Sequence, residues 1–486
     1  MLGSSSRVGA GSASAQALNR AALASVDGAH REAAPVRIVH MGLGNFHRAH
    51  QAWFTDRADD AGKWGIAAFT GRSTRAAPAL VAQDGLFTLI ERAANGDSAS
   101  VVASIVEAAD GANLGRFIAL MSAPSTAIVT LTVTEAGYRL DPSGRPRADD
   151  RVLAGDLEWS GPAHGGGLPP HARGPETTPG RLLLGLEARR RAEAGPIAIV
   201  PCDNVPDNGR FLAGGLKSMA GAVNAELASW IDGNVCFVST SVDRITPKAM
   251  PEDLVTAATL TGWQDQVPVV TEPFKDWVLS GEFPAGRPAW ESAGARFVGE
   301  IEPFERRKLW LLNGAHSLLA YSGLRVGCQT VAEALADRQC LRFVNDLWDE
   351  AARQLPSRGL DLSAYRAALL DRFANPRIAY PLRQIATDGV AKLRVRVAPL
   401  VLAERAAGRD AAASIRPLAT WAALILAGAE FPDTEAGAVE AARNRPLVQA
   451  IDELIGLVEP RLRADASVMD AIVRLAAESS PAAAMP

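Results

Sequence analysis

The 486-residue sequence predicts an α/β protein, a doubly wound parallel sheet followed by a mostly α-helical second half. Two observations carry this. From Val36 to about Gly262, short β-branched runs recur between helical stretches: "VRIVHMG", "WGIAAFTG", "STAIVTLTVTEAGY", "PIAIVPCDN" and "NVCFVSTSVDRITP". Continuous apolar runs of this kind suit strands covered on both faces by crossover helices. After about Glu291 the text becomes Ala- and Leu-rich, as in "CLRFVNDLWDEAARQL" and "AAASIRPLATWAALILAGAEF". A chain of this length holds two or three domains. The expected division is a disordered tail over residues 1–34, a nucleotide-binding domain over 35–290 and a helical domain over 291–486.

Composition narrows the function classes. Hydrophobic residues make up 48% and charged residues 21%, which is ordinary for a folded chain. Fifty Lys and Arg against 54 Asp and Glu give a formal charge of -4, with no basic block to follow a nucleic-acid backbone. Cys202, Cys236, Cys328 and Cys340 lie far apart without C-x-x-C spacing, so neither a zinc site nor a disulfide framework is expected. A reducing cytoplasm suits such a chain. The apolar stretch "TWAALILAGA" is far below the ~20 residues that span a bilayer and is expected as a core helix. The first 34 residues are rich in Ala, Ser and Gly and lack the compact apolar segment of a secretory signal.

The first strand stops at "GLGNFHRAH", where Gly42 and Gly44 permit close backbone approach and "HRAHQAWFTDRADD" can form the following helix. Strand, glycine turn and helix start form the setting in which backbone N–H groups receive a pyrophosphate. The third glycine of the usual fingerprint is missing, so the motif by itself leaves an ordinary turn open. At the end of the second strand an acidic residue would select NAD and basic residues NADP. Here the text is "FTGRSTRA", and Arg72 and Arg75, with no carboxylate, tilt the local chemistry toward NADP. Residues 141–180, dense in Gly and Pro, are expected as an excursion between sheet elements.

The stretch "EPFERRKLWLLNGAHSLLAYSG" places Glu305, Lys308, Asn313 and His316 in an otherwise apolar helix. With Lys308 at 0° on a regular α-helical wheel, Glu305 falls at about 60°, His316 at about 80° and Asn313 at about 140°. Leu309, Leu312 and Leu319 share that side, while Trp310, Leu311 and Leu318 lie elsewhere around the helix. Such a helix is largely enclosed by protein, where polar groups are costly unless they are used. A lysine desolvated by apolar neighbours releases its proton more readily and can serve as a general base, as alcohol oxidation requires. Amides such as Asn313, and Asn204 directly after the "IAIV" strand, can donate to a developing alkoxide.

Together, "GLGNFHRAHQ", "TVTEAGY", "CDNVPDNG", "VDRITP", "GRPAWE", "KLWLLNGAHSLLAYSG" and "FANP" resemble the polyol-specific long-chain dehydrogenases, the family of mannitol 2-dehydrogenase and fructuronate reductase. The resemblance covers about Val36 to Lys392 and implies an N-terminal Rossmann-type domain, a helical C-terminal domain and a site in the cleft between them. It implies a metal-independent enzyme using NAD(H) or NADP(H), with Lys308 as general base, Asn204 and Asn313 stabilising the alkoxide, His316 orienting the substrate and Glu305 passing the proton toward solvent. Gly42, Gly44, Asn45, Phe46, His47, Arg48 and Glu135 are the implied cofactor residues, joined by Arg72 from the local reading. Phe46, His47 and Arg48 stand as the family's replacement for the third glycine. Asp243, Lys392, Gln384 and Arg383 are the implied substrate residues.

Family members usually carry an acidic residue near "FTGRS", and this chain does not. Gln384 stands where mannitol dehydrogenases have arginine, and "QIA-DG" is more like fructuronate reductase, yet Val390-Ala391-Lys392-Leu393-Arg394 departs from the Ser-Gln-Lys-Leu-Pro pattern common there. A sugar acid needs a cation, for which Arg383, Lys392 or Arg394 could serve. The expected reaction is hydride transfer at a secondary hydroxyl of a linear sugar acid or polyol, leaning to fructuronate reduction (D-mannonate oxidation). Mannitol 2-dehydrogenase or arabinitol dehydrogenase is the alternative, and a non-catalytic nucleotide or sugar sensor is the alternative of another class. A zinc-dependent alcohol dehydrogenase is disfavoured by the scattered cysteines. The expected partner is a small-molecule substrate, with neither nucleic acid nor membrane, and a monomer is compatible with the sequence.

Overall fold

The computed structural model describes residues 15–27, 32–71, 76–159, 174–378 and 380–478. The described residues up to Ile301 form one compact unit and those from Glu302 a second. Among the described residues no helix is long and apolar enough to cross a membrane.

The first unit is built on six parallel strands: β1 (Val36–Met41), β2 (Gly65–Phe69), β3 (Ile105–Ala109), β4 (Ile128–Leu131), β5 (Ile197–Pro201) and β6 (Val235–Phe237). Their spatial order is β3-β2-β1-β4-β5-β6, the doubly wound Rossmann arrangement in which the chain reverses direction across the sheet between β1 and β4. The register sets Ile38 beside Ile128 and Ile128 beside Ala198, so apolar side chains dominate what the middle strands present to the flanking helices, with His40 and Thr130 as buried polar exceptions near their carboxyl ends. Ile38, Val39, Ile128, Val129, Ile197 and Ile199 are all essentially sealed from solvent. β3 was not among the expected runs. Glu107 interrupts its apolar pattern and reaches out to a two-pronged pair with Arg116 at 2.7 Å.

The run "NVCFVSTSVD" serves two sheets. After β6, Val238 alone intervenes before Ser239–Asp243, which pairs antiparallel with Asp276–Ser280 in a separate three-stranded sheet. A third sheet holds the hairpin Phe87–Ala93 and Gly96–Val102 with Val269–Thr271.

The tail expected over residues 1–34 is corrected in part. Gln16–Ala17 pairs with Trp263–Gln264, and the helix Arg20–Asp27 follows. Leu18 and Leu23 bury against Leu86 and Trp263, enough apolar contact to fix a short segment. Arg20 also donates to the carbonyls of Asp84, Ala103 and Ile105 at 3.1, 2.7 and 3.0 Å.

The second unit is helical. Gly314–Arg325 runs through its centre, buried without a break from Gly314 to Gly323. Around it lie Arg338–Gln354, Leu362–Phe373, Gly389–Arg396 and Ala412–Leu426, the last containing the expected core segment with Trp421 and Ala422. Tyr321, Leu393, Leu418, Trp421 and Leu454 are at the heart of one apolar cluster.

Candidate active site

In the first unit the glycine loop, Glu135 and Asn204 follow the carboxyl ends of parallel strands, where open α/β sheets bind ligands. Gly42 follows β1 with φ +112°, and a Cβ there would lie 2.5 Å from the Thr132 carbonyl oxygen. Only glycine fits. The turn is held by Gly42 N–H donating to the Phe69 carbonyl at 3.0 Å and by the Thr132 hydroxyl donating to the Gly42 carbonyl at 2.8 Å. The ends of β1, β2 and β4 are thereby tied together at the reversal point. At Gly44 an added Cβ would meet nothing nearer than the Gly42 carbonyl at 3.6 Å, so the backbone faces open space where the helix begins at Asn45. A glycine-lined helix start beside the reversal point fits a dinucleotide pyrophosphate.

His47 stands at the third-glycine position and does different work. Its ring stacks on His40 of β1 with centroids 3.3 Å apart and planes 8° from parallel, both rings at 0% exposure. A glycine would let helix and strand close up; here two imidazoles fill the gap. His40 is held by the Thr130 and Thr132 hydroxyls at 2.8 and 3.1 Å. Burial pushes the His40 pKa down to about 3, and burial with the adjacent His40 holds His47 well below its usual value, so both are neutral. Arg48 turns inward as well, donating to the Val267 carbonyl and to Asn45 Oδ1. Phe46 stacks on His50 at 5.1 Å. The side chains of His47 and Arg48 therefore shape the loop from inside, and the backbone is what they present. The helix expected after the loop is continuous but irregular, passing from α (Asn45–His47) through a π turn (Arg48–Ala52) back to α (Trp53–Arg57).

Arg72 and Arg75 lie outside the described residues. Glu135 is exposed at the start of the 3-10 turn Glu135–Tyr138 beyond β4. From that turn the Tyr138 hydroxyl donates to the Asp203 carboxylate beyond β5, linking it to the neighbourhood of Asn204, itself exposed. Burial raises the Asp203 pKa, opposed by the Tyr138 hydrogen bond. Asp243 closes the strand Ser239–Asp243 and is 9% exposed. Its neighbour Arg244, which the sequence did not single out, is buried and donates to the Ala49 carbonyl at 2.6 Å, the Glu272 carbonyl at 3.2 Å and the Glu91 carboxylate. That arginine fastens the Asp243 strand to the helix of the glycine loop.

In the second unit the regular helical wheel fails. The helix is α over Glu302–Arg307, π over Lys308–Asn313 and α again over Gly314–Arg325. A π turn absorbs one residue more than an α turn, which turns everything beyond it back by about 100°. Asn313 moves from about 140° to about 40° and His316 from about 80° to about -20°, so with Lys308 and Glu305 they occupy an arc of about 80°. A tertiary contact meets the π turn: the Trp348 indole N–H donates to the Leu311 carbonyl at 2.7 Å. Phe373 and Tyr380 flank the His316 ring at 4.8 and 5.2 Å.

The expected substrate residues behave differently from one another. Lys392 Nζ donates to the Ile385 carbonyl at 3.0 Å and Thr387 Oγ1 at 3.1 Å, closing the end of the short helix Leu382–Ile385. Arg383 is exposed, bound to the Glu430 carbonyl at 3.0 Å and lying over Phe431, and Gln384 is exposed. Arg394 is committed to the carbonyls of Leu457 and Val458 at 2.6 and 3.1 Å. Arg396, which the sequence reading passed over, approaches Ser317, the residue after His316.

Comparison with known proteins gives the family and the fold. The family model described as the mannitol dehydrogenase Rossmann domain matches residues 36–292, and that of the mannitol dehydrogenase C-terminal domain matches 300–438. The chain is 35% identical to D-mannonate oxidoreductase of Escherichia coli over 74% of its length and 73% of the relative's. It is 36% identical to D-arabinitol 4-dehydrogenase of Ralstonia nicotianae, covering 78% of this chain and 81% of that one. Among solved structures, Pseudomonas fluorescens mannitol 2-dehydrogenase, in a ternary complex with NAD and D-mannitol, superposes with a TM-score of 0.74 at 31% identity, covering 92% of both chains. A glycine turn at the reversal point of a Rossmann sheet, a lysine–asparagine–histidine file on one helix and both family matches lead to one assignment: the chain is an oxidoreductase of the mannitol dehydrogenase family.

Proposed function

We propose that the protein catalyses reversible hydride transfer between NAD(P) and a secondary hydroxyl of a linear sugar acid or polyol, with D-mannonate and fructuronate as the favoured pair. The observation that carries the reading is the π turn, which gathers Glu305, Lys308, Asn313 and His316 on one narrow face. A bound nicotinamide supplies the hydride acceptor. The chain's own groups handle the proton and the developing charge. Lys308 Nζ, as the neutral amine, takes the hydroxyl proton, and Glu305 passes it toward solvent. The amides of Asn313 and Asn204 donate to the alkoxide oxygen, where charge builds in the transition state. His316, held between Phe373 and Tyr380, orients the substrate, and Asp243 lines its site.

Relatives named for mannonate and for arabinitol, at 35% and 36% identity, leave both sugar acids and neutral polyols as candidates. Gln384 in place of the arginine of mannitol dehydrogenases favours the acid. Arg72 with no nearby carboxylate in sequence favours NADP. The test is turnover of mannonate, mannitol and arabinitol with NAD and NADP by the wild type and Lys308→Ala. Turnover in the variant is expected to drop by about two to four orders of magnitude, the usual worth of a general base, and wild-type-like turnover would remove Lys308 from the mechanism.

A further inference from the structure

Arg396 is half-buried and has fewer partners than the buried arginines of this chain. Arg189 donates to the carbonyls of Met121, Ala123, Ala194, Gly195 and Pro196, and Arg244 to two carbonyls and a carboxylate. Arg396 makes one long hydrogen bond, Nη1 to Ser317 Oγ at 3.4 Å, for a group with five N–H donors. Among the described residues no carboxylate pairs with it. The titratable groups acting on it are the Tyr321 and Tyr380 hydroxyls, and burial, the largest influence, lowers its pKa. Lys392, one turn earlier on Gly389–Arg396, is also lowered, first by burial and then by Arg396. Asp388 and Asp433 offset this at Lys392, yet neither acts on Arg396. A half-buried guanidinium whose other N–H groups meet no protein acceptor among the described residues is open to an incoming anion.

Its position says which anion. The Arg396 backbone packs against the start of the helix beyond the π turn, its carbonyl 3.5 Å from where a Cβ on Gly314 would stand. Its side chain reaches Ser317, adjacent to His316, and its charge is felt by Tyr380, whose ring flanks that histidine. Arg383 and Arg394, the other cations near Lys392 in sequence, are engaged elsewhere by backbone carbonyls.

We propose that Arg396 is the carboxylate receptor of the active site, binding the acid end of a linear sugar acid whose secondary hydroxyl is presented to Lys308 and His316. The assignment rests on the dehydrogenase reading above and narrows its substrate class from polyols to sugar acids. A planar guanidinium with free N–H pairs suits a carboxylate, while a hydroxymethyl group would leave the charge unmet.

D-Mannonate and D-mannitol differ only in that terminal group, so they are matched probes. Their dissociation constants are measured by calorimetry on the full chain for wild type, Arg396→Gln and Arg396→Lys. Wild type is expected to prefer mannonate by at least about tenfold, and Arg396→Gln to lower the mannonate-to-mannitol preference by about 30-fold, the share of charge-assisted hydrogen bonds. Arg396→Lys, which keeps the charge and loses the fork, falls between. An unchanged preference in Arg396→Gln, or wild type favouring mannitol, overturns the assignment; the wild-type comparison decides even if the glutamine variant does not fold. Wild type binding mannonate without oxidising it would sink the dehydrogenase reading and leave the receptor standing. Mannitol oxidation with an unchanged preference in Arg396→Gln would do the reverse.

Discussion

Replacing Trp348 with phenylalanine tests whether the π turn is what assembles the catalytic face. Trp348 is fully buried, and its indole N–H is the donor to the Leu311 carbonyl at 2.7 Å. Phenylalanine keeps most of the apolar contact and removes the donor. A buried carbonyl left without its partner costs about 1–3 kcal/mol. The smaller ring leaves roughly 40 Å³ unfilled, which adds about 1 kcal/mol. For a helical unit of this size a loss of about 2–4 kcal/mol lowers the melting midpoint by roughly 4–16 °C. Activity should suffer beyond what unfolding removes. If the turn relaxes toward α geometry, Asn313 swings back by about 100°, away from Lys308. The expectation is slower turnover with little change in cofactor affinity, measured well below the midpoint by initial rates and by NADH fluorescence titration. A variant with a lowered midpoint and wild-type turnover would show that the π turn stands without this hydrogen bond.

Two further perturbations address the cofactor loop. Free histidine titrates at 6.5 and His40 in the fold at about 3, so between those values the unfolded chain binds a proton that the folded chain refuses. Stability is therefore complete above pH ~6.5 and declines toward pH ~3 with a slope of about 1.4 kcal/mol per pH unit from this group, His47 adding in the same direction. Urea midpoints across pH 4–8 should show a shallower acid decline in His40→Asn, and parallel profiles would contradict the buried neutral stack. Gly42→Ala forces a side chain into a backbone of φ +112° and onto the Thr132 carbonyl. NADH affinity should weaken at least tenfold; an unaltered binding curve would remove this turn from the cofactor site.

The sheet was readable because strands covered on both faces are written as unbroken apolar runs, and β1, β2, β4 and β5 stand where those runs stand. β3 was hidden by Glu107, whose charge belongs to a surface pair with Arg116. Residues 15–27 were hidden for the opposite reason: two leucines in a small-residue segment decide their packing, and composition averages them away. On the catalytic helix the polar residues announced themselves by their apolar surroundings, but their true arc did not. Nothing in "KLWLLN" marks an extra residue in the turn, and the donor that meets its Leu311 carbonyl comes from Trp348, far along the chain. Arg396 was illegible for a similar reason. In "KLRVRV" it looks like one more solvated cation, and only the packing of its backbone against Gly314 sets it beside the catalytic helix.

The single residue Val238 between β6 and the antiparallel strand has a consequence for self-association. The outermost strand of a parallel sheet exposes a row of unpaired amides and carbonyls to which another chain could add. Here that margin is three residues long, because the backbone leaves at Val238 and spends its remaining hydrogen-bonding capacity on Asp276–Ser280. A strand this short offers a neighbour little to pair with. Lengthening β6 by even two residues at that junction would give this side of the sheet a border as long as β3 on the other.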